Sequence, residues 1–495
     1  MPRITIDGKT VDVPDGTTVM DAAALAGIEI PGLCYMPGVR PLTSCMLCVV
    51  RDKRTGETLT SCAAEARDGM DIETSNDKIF AARKEILQLL LSEHVGDCEA
   101  PCRRICPAAL EVPLMMRKVA SGDMDGAARL AKDALILPAT LGWVCTAPCE
   151  RGCHRATFDE PLLIKELHRR LAEQALAGGL TGFSVPESSG KRVAIVGGGV
   201  TGIAAACALV RLGHACTLFE REDRAGATLR DLDEDELPQH ILDAEIETVL
   251  KLGVELRTGA EVGTSVPLDD VLSRYDAVLI ACEDDALEDA EDEDHVFTAI
   301  EFPMAVNSVG EGKAMAAEID CFLRGQPEPS RKKPFDCRLG EIADAEKGPF
   351  AVERMIEETR GKGRLPHDSQ AEARRCLHCD CLKLDSCKLR RYATEYGAGQ
   401  FAYRETVRPR IEACQTTETI CFEPGKCIRC GLCVEITAQQ GEPVGMGFIQ
   451  RGFDARVQPP MGRSIGEALT VSAHGCIEAC PTAALAWRNK EERDE

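Results

Sequence analysis

The chain opens on strict alternation. Arg3-Ile-Thr-Ile-Asp7 and Lys9-Thr-Val-Asp-Val13 place apolar and polar residues in turn on either side of Gly8, which predicts a β-hairpin. Residues 18–26 change to helical spacing and stop at Gly27. A second helix is predicted over 81–92, ending in Leu-Leu-Leu-Ser-Glu-His94. At Lys191-Arg-Val-Ala-Ile-Val196 the pattern becomes a continuous apolar run, as in a buried strand. An apolar helix over 203–212 and a second strand, Ala215-Cys-Thr-Leu-Phe-Glu220, follow. Another helix is expected from Gly310, and Gly325-Gln-Pro-Glu-Pro-Ser-Arg-Lys-Lys-Pro334 is a linker by composition. No apolar run approaches the ~18 residues of a membrane helix. The start has no signal-peptide core, so no membrane insertion and a cytoplasmic location are expected.

At 495 residues the chain is long enough for several domains, and 44% hydrophobic with 28% charged residues is ordinary for a soluble globular protein. The net charge of −23 argues against nucleic acid, which wants a basic face. Cysteine changes the picture. In a cytosolic chain, 26 cysteines in tight groups point to metal or redox use rather than disulfides. Cys207, Cys216, Cys282, Cys321 and Cys337 fall outside the groups and are expected to be core or incidental thiols.

The first group is Cys34, Cys45, Cys48 and Cys62, spaced C-x10-C-x2-C-x13-C. Four soft thiolates complete a [2Fe–2S] site. Structural zinc is the alternative, although it favours two paired C-x2-C arms. Cys34-Tyr-Met-Pro, Ser44-Cys-Met-Leu-Cys-Val-Val and Gly69-Met-Asp-Ile-Glu-Thr resemble the N-terminal domain of the large iron–sulfur subunit of respiratory complex I and of related hydrogenase subunits. In that family His-x3-Cys opens a cluster site with one His and three Cys ligands, and His94-x3-Cys98 preserves that opening. The next gaps depart from it, being three and three residues instead of two and five.

Beyond Cys98 come Cys102 and Cys106-Pro, then Cys145, Cys149 and Cys153. This stretch is similar to the N-terminal domain of the glutamate synthase small subunit and of dihydropyrimidine dehydrogenase. The resemblance implies one [4Fe–4S] cluster on Cys106, Cys145, Cys149 and Cys153. His94, Cys98 and Cys102 would supply three ligands of another. His168, in Leu163-Ile-Lys-Glu-Leu-His168, stands where the family has a Gln or Glu ligand, with Glu166 as a rival. The plainer readings are that His94 is a surface residue closing a helix, where its charge suits the dipole, and that His168 is a polar residue on an amphipathic helix.

Gly197-Gly-Gly199-Val-Thr-Gly202 lies between strand and helix, and Glu220 ends the next strand. The glycines allow a tight turn and close pyrophosphate approach at a helix N-terminus, and the acid would bond ribose hydroxyls. Residues 191–275 resemble the FAD half of the glutamate synthase small subunit, through Phe219-Glu-Arg-Glu-Asp-Arg-Ala-Gly226 and Gly253-Val-Glu-Leu-Arg-Thr-Gly-Ala-Glu-Val262. The resemblance implies FAD held by Gly197, Gly199, Gly202, Glu220, Arg221, Gly226, Arg230, Val262 and Glu301. After Ile280 the family inserts an NADPH-binding unit. Here an acidic run at 288–294 leads straight to Val296-Phe-Thr-Ala-Ile-Glu301, which resembles the closing flavin motif with Ile-Glu in place of Gly-Asp. No second G-x-G-x-x-G occurs. A nucleotide fold kept only as scaffold is the alternative.

Toward the C-terminus, Cys376, Cys379, Cys381 and Cys387 fall within twelve positions and are read as one further [4Fe–4S] site, with zinc as the alternative. A similar Glu-Ala-x-Arg-Cys-Leu-x-Cys tail occurs in glutamate-synthase-like oxidoreductases. Cys427-Ile-Arg-Cys430-Gly-Leu-Cys433 with Cys480-Pro forms one ferredoxin cluster. A second would need Thr437, Thr470, Ala473 and Cys476, and keeps a single cysteine. Cys414, Cys421 and Cys476 are left spare.

The expected architecture is multidomain α+β and α/β. It comprises a β-grasp [2Fe–2S] domain (1–93), a helical double-cluster domain (94–185), a truncated Rossmann-like FAD domain (186–330), a linker with a four-cysteine site (331–410) and a ferredoxin-like domain (411–495). The expected function is an electron-transfer subunit with one [2Fe–2S] cluster, about four [4Fe–4S] clusters and FAD. Its partners would be a diaphorase-type NAD(P)H subunit and a hydrogenase- or formate dehydrogenase-like catalytic subunit. The alternatives are a flavin-free cluster scaffold and an autonomous FAD-dependent reductase.

Overall fold

Alternation at the N-terminus becomes a hairpin of β1 (Arg3–Ile6) and β2 (Lys9–Asp12). Asp7 and Gly8 both take positive φ (45° and 81°), the turn whose twist matches the strands. With β3 (Val49–Asp52), β4 (Thr58–Thr60) and β5 (Asp71–Glu73) the hairpin forms a mixed sheet in the order β2-β1-β5-β3-β4, parallel only between β1 and β5. One face buries Ile4, Ile6, Val50 and Ile72 against Val19 of the helix Val19–Leu25, which Thr18 caps. Cys48 and Cys62 belong to this core.

The computed structural model describes residues 1–179, 185–282, 287, 293–328, 333–352, 354, 368–403 and 408–488. Residues 288–292 of the expected acidic run and 329–332 of the expected linker lie outside them. The chain forms two units. The first comprises residues 1–99, 333–355 and 379–495, and the second 100–332 and 356–378.

In the first unit, the helix Asp77–Ser92 begins four residues before the helix read from sequence, because Asn76 caps it by accepting from the Ile79 N–H at 2.9 Å. Its Leu87 and Leu91 pack with Leu33, Leu47, Tyr392, Phe422, Ile436 and Ile477, so the N- and C-terminal segments share one core. Arg83 ties β3 to this core, donating to Val49 O (2.8 Å) and to the Tyr396 hydroxyl (3.0 Å). A short hairpin, Gln415–Thr416 with Ile420–Phe422, extends to Leu485–Trp487.

The second unit starts with helices Pro101–Ile105, Val112–Ser121, Met124–Leu135, Pro138–Val144, Pro148–Arg151 and Ile164–Ala177. A parallel sheet follows: β6 (Arg192–Val196), β7 (Ala215–Phe219), β8 (Glu255–Arg257), β9 (Ala277–Ile280) and β10 (Val296–Thr298), in the order β10-β9-β6-β7-β8. The helix Val200–Val210 packs closely on Ala305–Leu323. A methyl added at Gly312 would lie 2.9 Å from both Ala204 Cβ and Ala205 N, so this crossing depends on small residues. Among the described residues no helix is long and apolar enough to cross a membrane.

Candidate metal centres and dinucleotide site

None of the 26 cysteines forms a disulfide. Cys34, Cys45, Cys48 and Cys62 are buried as two close pairs: Cys34 Sγ to Cys45 Sγ is 3.3 Å, and Cys48 Sγ to Cys62 Sγ is 3.3 Å. Hydrogen bonding among the four thiols, including one between Cys34 and Cys62 across the pairs, holds Cys34 and Cys48 down and pushes Cys45 and Cys62 up. The loop before the second pair is bent tightly, with Thr43 and Met46 at φ 51° and 57°. Two thiol pairs side by side fit two iron atoms, one per pair.

At the other end of the first unit, Cys427, Cys430, Cys433 and Cys480 surround an apolar cavity of ≈ 370 Å³, walled by Phe422, Val457 and Leu485. The proline turns before Cys427 and after Cys480 bring the two segments together. Thr482 Oγ1 donates to Lys426 O at 2.9 Å, across the two. The positions for a second ferredoxin cluster are joined by protein bonds. Glu442 accepts from Thr470 Oγ1 (2.6 Å), Val471 N (2.6 Å) and both N (2.7 Å) and Oγ (2.8 Å) of Ser472. Against the upward push of burial, these donors hold its carboxyl at about 2. Thr437 is buried, accepting from Met446 N at 3.1 Å and donating to Val434 O at 3.0 Å.

The run Cys376, Cys379, Cys381, Cys387 does not close on itself. Cys381 N donates to Cys98 O (3.0 Å), and Cys337 N donates to Cys98 Sγ (3.3 Å). Burial pushes the Cys98 thiol up to about 12, and Cys381 and Cys387 are the thiols that add to the push. Thus Cys98, Cys381 and Cys387 are neighbours, with Cys337, read from sequence as incidental, beside them. Cys379 faces another cavity with Cys414. Cys376 belongs to the second unit, following Arg375. His94 is buried in the first unit and Cys102 in the second.

In the second unit Cys106, Cys145 and Cys149 come together: burial raises the Cys149 thiol, and the charges of Cys106 and Cys145 add to it. Cys153 is half-buried, with Arg375 within charge range. Lys313, on Ala305–Leu323, donates to Ala108 O (3.0 Å) and Ala134 O (2.9 Å) and stands within charge range of Cys106. Lys313→Met is expected to lower the midpoint potential of the centre expected at Cys106 by tens of millivolts, because a nearby cation favours the reduced form. Redox-titrated EPR measures this, and an unmoved midpoint would separate Lys313 from that centre.

His168 is buried with Nδ1 3.0 Å from Pro138 O. A carbonyl only accepts, so Nδ1 carries the proton and Nε2 keeps its lone pair, the form a metal ligand needs. Burial lowers its pKa to about 4, so the ring is neutral at pH 7. Glu166, the rival, is paired instead with Arg170 at 3.3 Å.

The glycine loop is built as its spacing predicts. Gly197 has φ 111°, and a methyl there would lie 2.6 Å from Ala281 O. The helix Val200–Val210 starts three residues before the helix read from sequence, with Gly199 as its N-cap. Glu220 is buried, accepting from Gly198 N (2.9 Å) and Glu222 N (2.9 Å). Gly226 has φ 130° and leads into Arg230, which donates to Ala225 O (2.7 Å) and pairs with Asp243 (2.8 Å). Val262 is buried, while Arg221 is exposed beside Glu222. Glu301 is used differently from the reading that gives it a flavin hydroxyl. Its carboxylate accepts from Val200 N (3.1 Å) and Thr201 N (2.9 Å), the first-turn N–H groups of the helix. Those N–H groups are where a dinucleotide phosphate would bind. The loop and Glu220 therefore fit a dinucleotide, on condition that Glu301 withdraws.

Sequence reasoning missed Arg354 and Lys426 as charges beside cysteines. The one available signal was Lys426 adjoining Cys427. No signal pointed to Arg354, which lies far from any cysteine run.

Residues 2–77 match a 2Fe-2S iron-sulfur cluster binding domain, 92–180 the dihydropyrimidine dehydrogenase domain II with a 4Fe-4S cluster, and 165–310 a pyridine nucleotide-disulphide oxidoreductase domain. Among curated proteins, the beta subunit of the NADP(+)-dependent formate dehydrogenase of Moorella thermoacetica is 35% identical over 205 residues, covering 37% of this chain and 29% of that protein. The NAD-dependent dihydropyrimidine dehydrogenase subunit PreT of Salmonella typhimurium is 31% identical over 185 residues, covering 37% and 45%. The glutamate synthase [NADPH] small chain of Mycobacterium tuberculosis is 32% identical over 188 residues, covering 37% and 38%. The chain spans less than half the length of each of these three relatives. Up to residue 310, then, the chain carries in succession a 2Fe–2S domain, a 4Fe–4S domain of the dihydropyrimidine dehydrogenase type and a pyridine nucleotide oxidoreductase domain.

Proposed function

We propose that this chain is an iron–sulfur flavoprotein subunit that passes electrons within a larger oxidoreductase. One observation carries this reading: the thiols of the first unit form a continuous series. Cys430 lies within charge range of Cys34, Cys387 within range of Cys480 and Cys381, and Cys98 within range of Cys381 and Cys387. Ser44 Oγ donates to Cys430 O at 3.1 Å, joining the first and second cysteine groups directly.

In this reading a β-grasp domain holds [2Fe–2S] on Cys34, Cys45, Cys48 and Cys62. A ferredoxin-like domain holds [4Fe–4S] on Cys427, Cys430, Cys433 and Cys480, and a helical domain holds another on Cys106, Cys145, Cys149 and Cys153. A Rossmann-like domain offers Gly197, Gly199, Gly202 and Glu220 to FAD. Such clusters carry single electrons, and a flavin links them to two-electron chemistry. The protein supplies buried thiolates, apolar walls that keep water out, and nearby cations such as Lys313. The formate dehydrogenase and glutamate synthase relatives, named as a subunit and a small chain, support partner subunits; in this reading these are a diaphorase-type NAD(P)H subunit and a formate dehydrogenase- or hydrogenase-like catalytic subunit.

The test is anaerobic purification of the native assembly, with iron, sulfide and flavin counted and EPR recorded on the reduced protein. A [2Fe–2S] signal broadened by coupling to a neighbouring cluster is expected. Isolation of the chain without iron and without a partner would sink the reading. The Glu301 cap favours a second reading, a flavin-free scaffold, and absence of released FAD alongside a full iron count would select it.

A further inference from the structure

Two cysteines of the C-terminal region, Cys414 and Cys421, belong to none of the ligand sets above. They flank the hairpin Gln415–Thr416 with Ile420–Phe422, whose register pairs Gln415 with Phe422 and Thr416 with Cys421. Side chains alternate along strands, and paired residues share a face. Continued by one position, the register sets Cys414 opposite Glu423. Cys414, Cys421 and Glu423 therefore share one face, and Phe422 takes the other. Phe422 lines the cavity of Cys427, Cys430, Cys433 and Cys480. The opposite face meets a second cavity, ≈ 500 Å³, whose wall includes Cys379, Cys414, Arg354, Glu412, Glu423 and Lys426.

The cavity places two cations close to its thiols. Arg354 is its hub, pairing with Glu423 at 2.5 Å. Glu423 also pairs with Lys426. Arg354 and Lys426 are thus held beside the thiols by one shared carboxylate, on a wall that also carries Asp97 and Glu412. After Glu423, the charged groups within range of the Arg354 guanidinium are Cys379, Cys414 and Cys421; Cys379 and Cys414 line the cavity, and Cys421 shares the hairpin face of Cys414. Cys414 Sγ lies 3.2 Å from Val352 O, and Cys414 and Cys421 are both buried. A buried cation among several thiols compensates a polynuclear thiolate centre, whose net charge is negative. Among the described residues no three His, Cys, Asp or Glu side chains converge on a point suited to a single metal ion. Cys379 and Cys414 open onto one shared space, as Cys427, Cys430, Cys433 and Cys480 do in the neighbouring cavity.

We propose that Cys379, Cys414 and Cys421 ligate a further iron–sulfur cluster in the cavity beside Arg354 and Lys426. Cys379 then serves this centre, while Cys381 and Cys387 turn toward Cys98, so the run 376–387 feeds two centres instead of one. On the same wall Asp97 accepts from Leu339 N at 3.1 Å and Glu412 pairs with Arg456 at 3.0 Å, so a fourth iron would take an oxygen donor from one of these partners. The inference goes beyond the electron-transfer reading and holds whether or not a flavin is bound.

The test uses anaerobically purified full-length protein. The double variant Cys414→Ser/Cys421→Ser is expected to lose one cluster's iron and sulfide (about four of each for a cubane) and one EPR component, while keeping the [2Fe–2S] signal. Gln415→Ala, on the other face of the hairpin, should keep all of them. Unchanged iron, sulfide and EPR in the double variant would overturn the proposal, as would zinc in place of iron. Should the variant not fold, iron-edge anomalous scattering from wild-type crystals decides. A peak in the cavity of Cys379 and Cys414 supports the cluster. Absence of a peak there, with one present among Cys427, Cys430, Cys433 and Cys480, rejects it.

Discussion

Replacing Glu301 with alanine is expected to raise the affinity of the chain for FAD about 30-fold, or ~2 kcal/mol. The carboxylate accepts from Val200 N and Thr201 N at the start of the helix that follows the glycine loop. Charge-assisted bonds of this kind contribute about 1.5–3 kcal/mol each. An incoming diphosphate must displace them and also meets a fixed negative charge. Glu301 is thus an internal stand-in for the phosphate, seated by one extra methylene relative to the aspartate of the resembled motif. Alanine removes both the competitor and the repulsion, and water covers the freed N–H groups in the empty state. Flavin-fluorescence titration of the flavin-stripped protein measures the change. A fall in affinity would instead make Glu301 a ligand of the flavin, as the family resemblance implies.

The second large effect concerns stability. Asp159→Asn is expected to cost about 3–5 kcal/mol, the range for breaking a buried ion pair. Asp159 receives Arg155 through two bonds (2.6 and 2.8 Å) and Arg375 through a third (3.0 Å). Arg155 and Arg375 are only 1% and 4% exposed. Glu372 holds the other side of Arg375 at 2.8 Å and accepts from Leu163 N at 2.9 Å. Without the Asp159 carboxylate, Arg155 keeps only the Arg375 carbonyl among these partners, and Arg375 keeps Glu372. Cys153 adjoins this network, so the variant should also lose iron from the centre expected at Cys106, Cys145, Cys149 and Cys153. Denaturant unfolding with iron counts reads both effects. A variant with wild-type midpoint and iron content would remove the network from the account. Although burial pushes the Asp159 carboxyl up, the two arginines hold it below its usual range. Its contribution is therefore present above about pH 4 and lost as pH falls through the folded value.

Much of this site was legible because its signals are local. The C-x2-C spacings, the strand–glycine–helix pattern and the acid at Glu220 need only neighbouring residues; the structure forms the strand, glycine turn and helix, and buries Glu220 beside the loop. The departures are long-range. Nothing near Cys98 in sequence predicts Cys381 and Cys387 as neighbours, because the chain returns to Cys98 only after residue 333. The capping role of Glu301 depends on a loop reaching the first turn of a helix a hundred positions earlier. Helix starts at Asp77 and Val200 preceded the apolar periodicity because caps, not hydrophobic spacing, set them. Arg354 carried no sequence signal at all.

The hairpin ending at Phe422 has a consequence for how this protein can change. Adjacent residues, Cys421 and Phe422, take opposite faces of the hairpin, Phe422 toward the cavity of Cys427, Cys430, Cys433 and Cys480 and Cys421 on the side of Cys414, so a point substitution alters one face and spares the other. Inserting or deleting a single residue in the turn 417–419 does the opposite. Where the strand register shifts with it, the two faces exchange, sending a ring to the side of Cys414 and a thiol into the apolar cavity. The strand is a bulkhead with period two: permissive to drift in residue type, intolerant of drift in length.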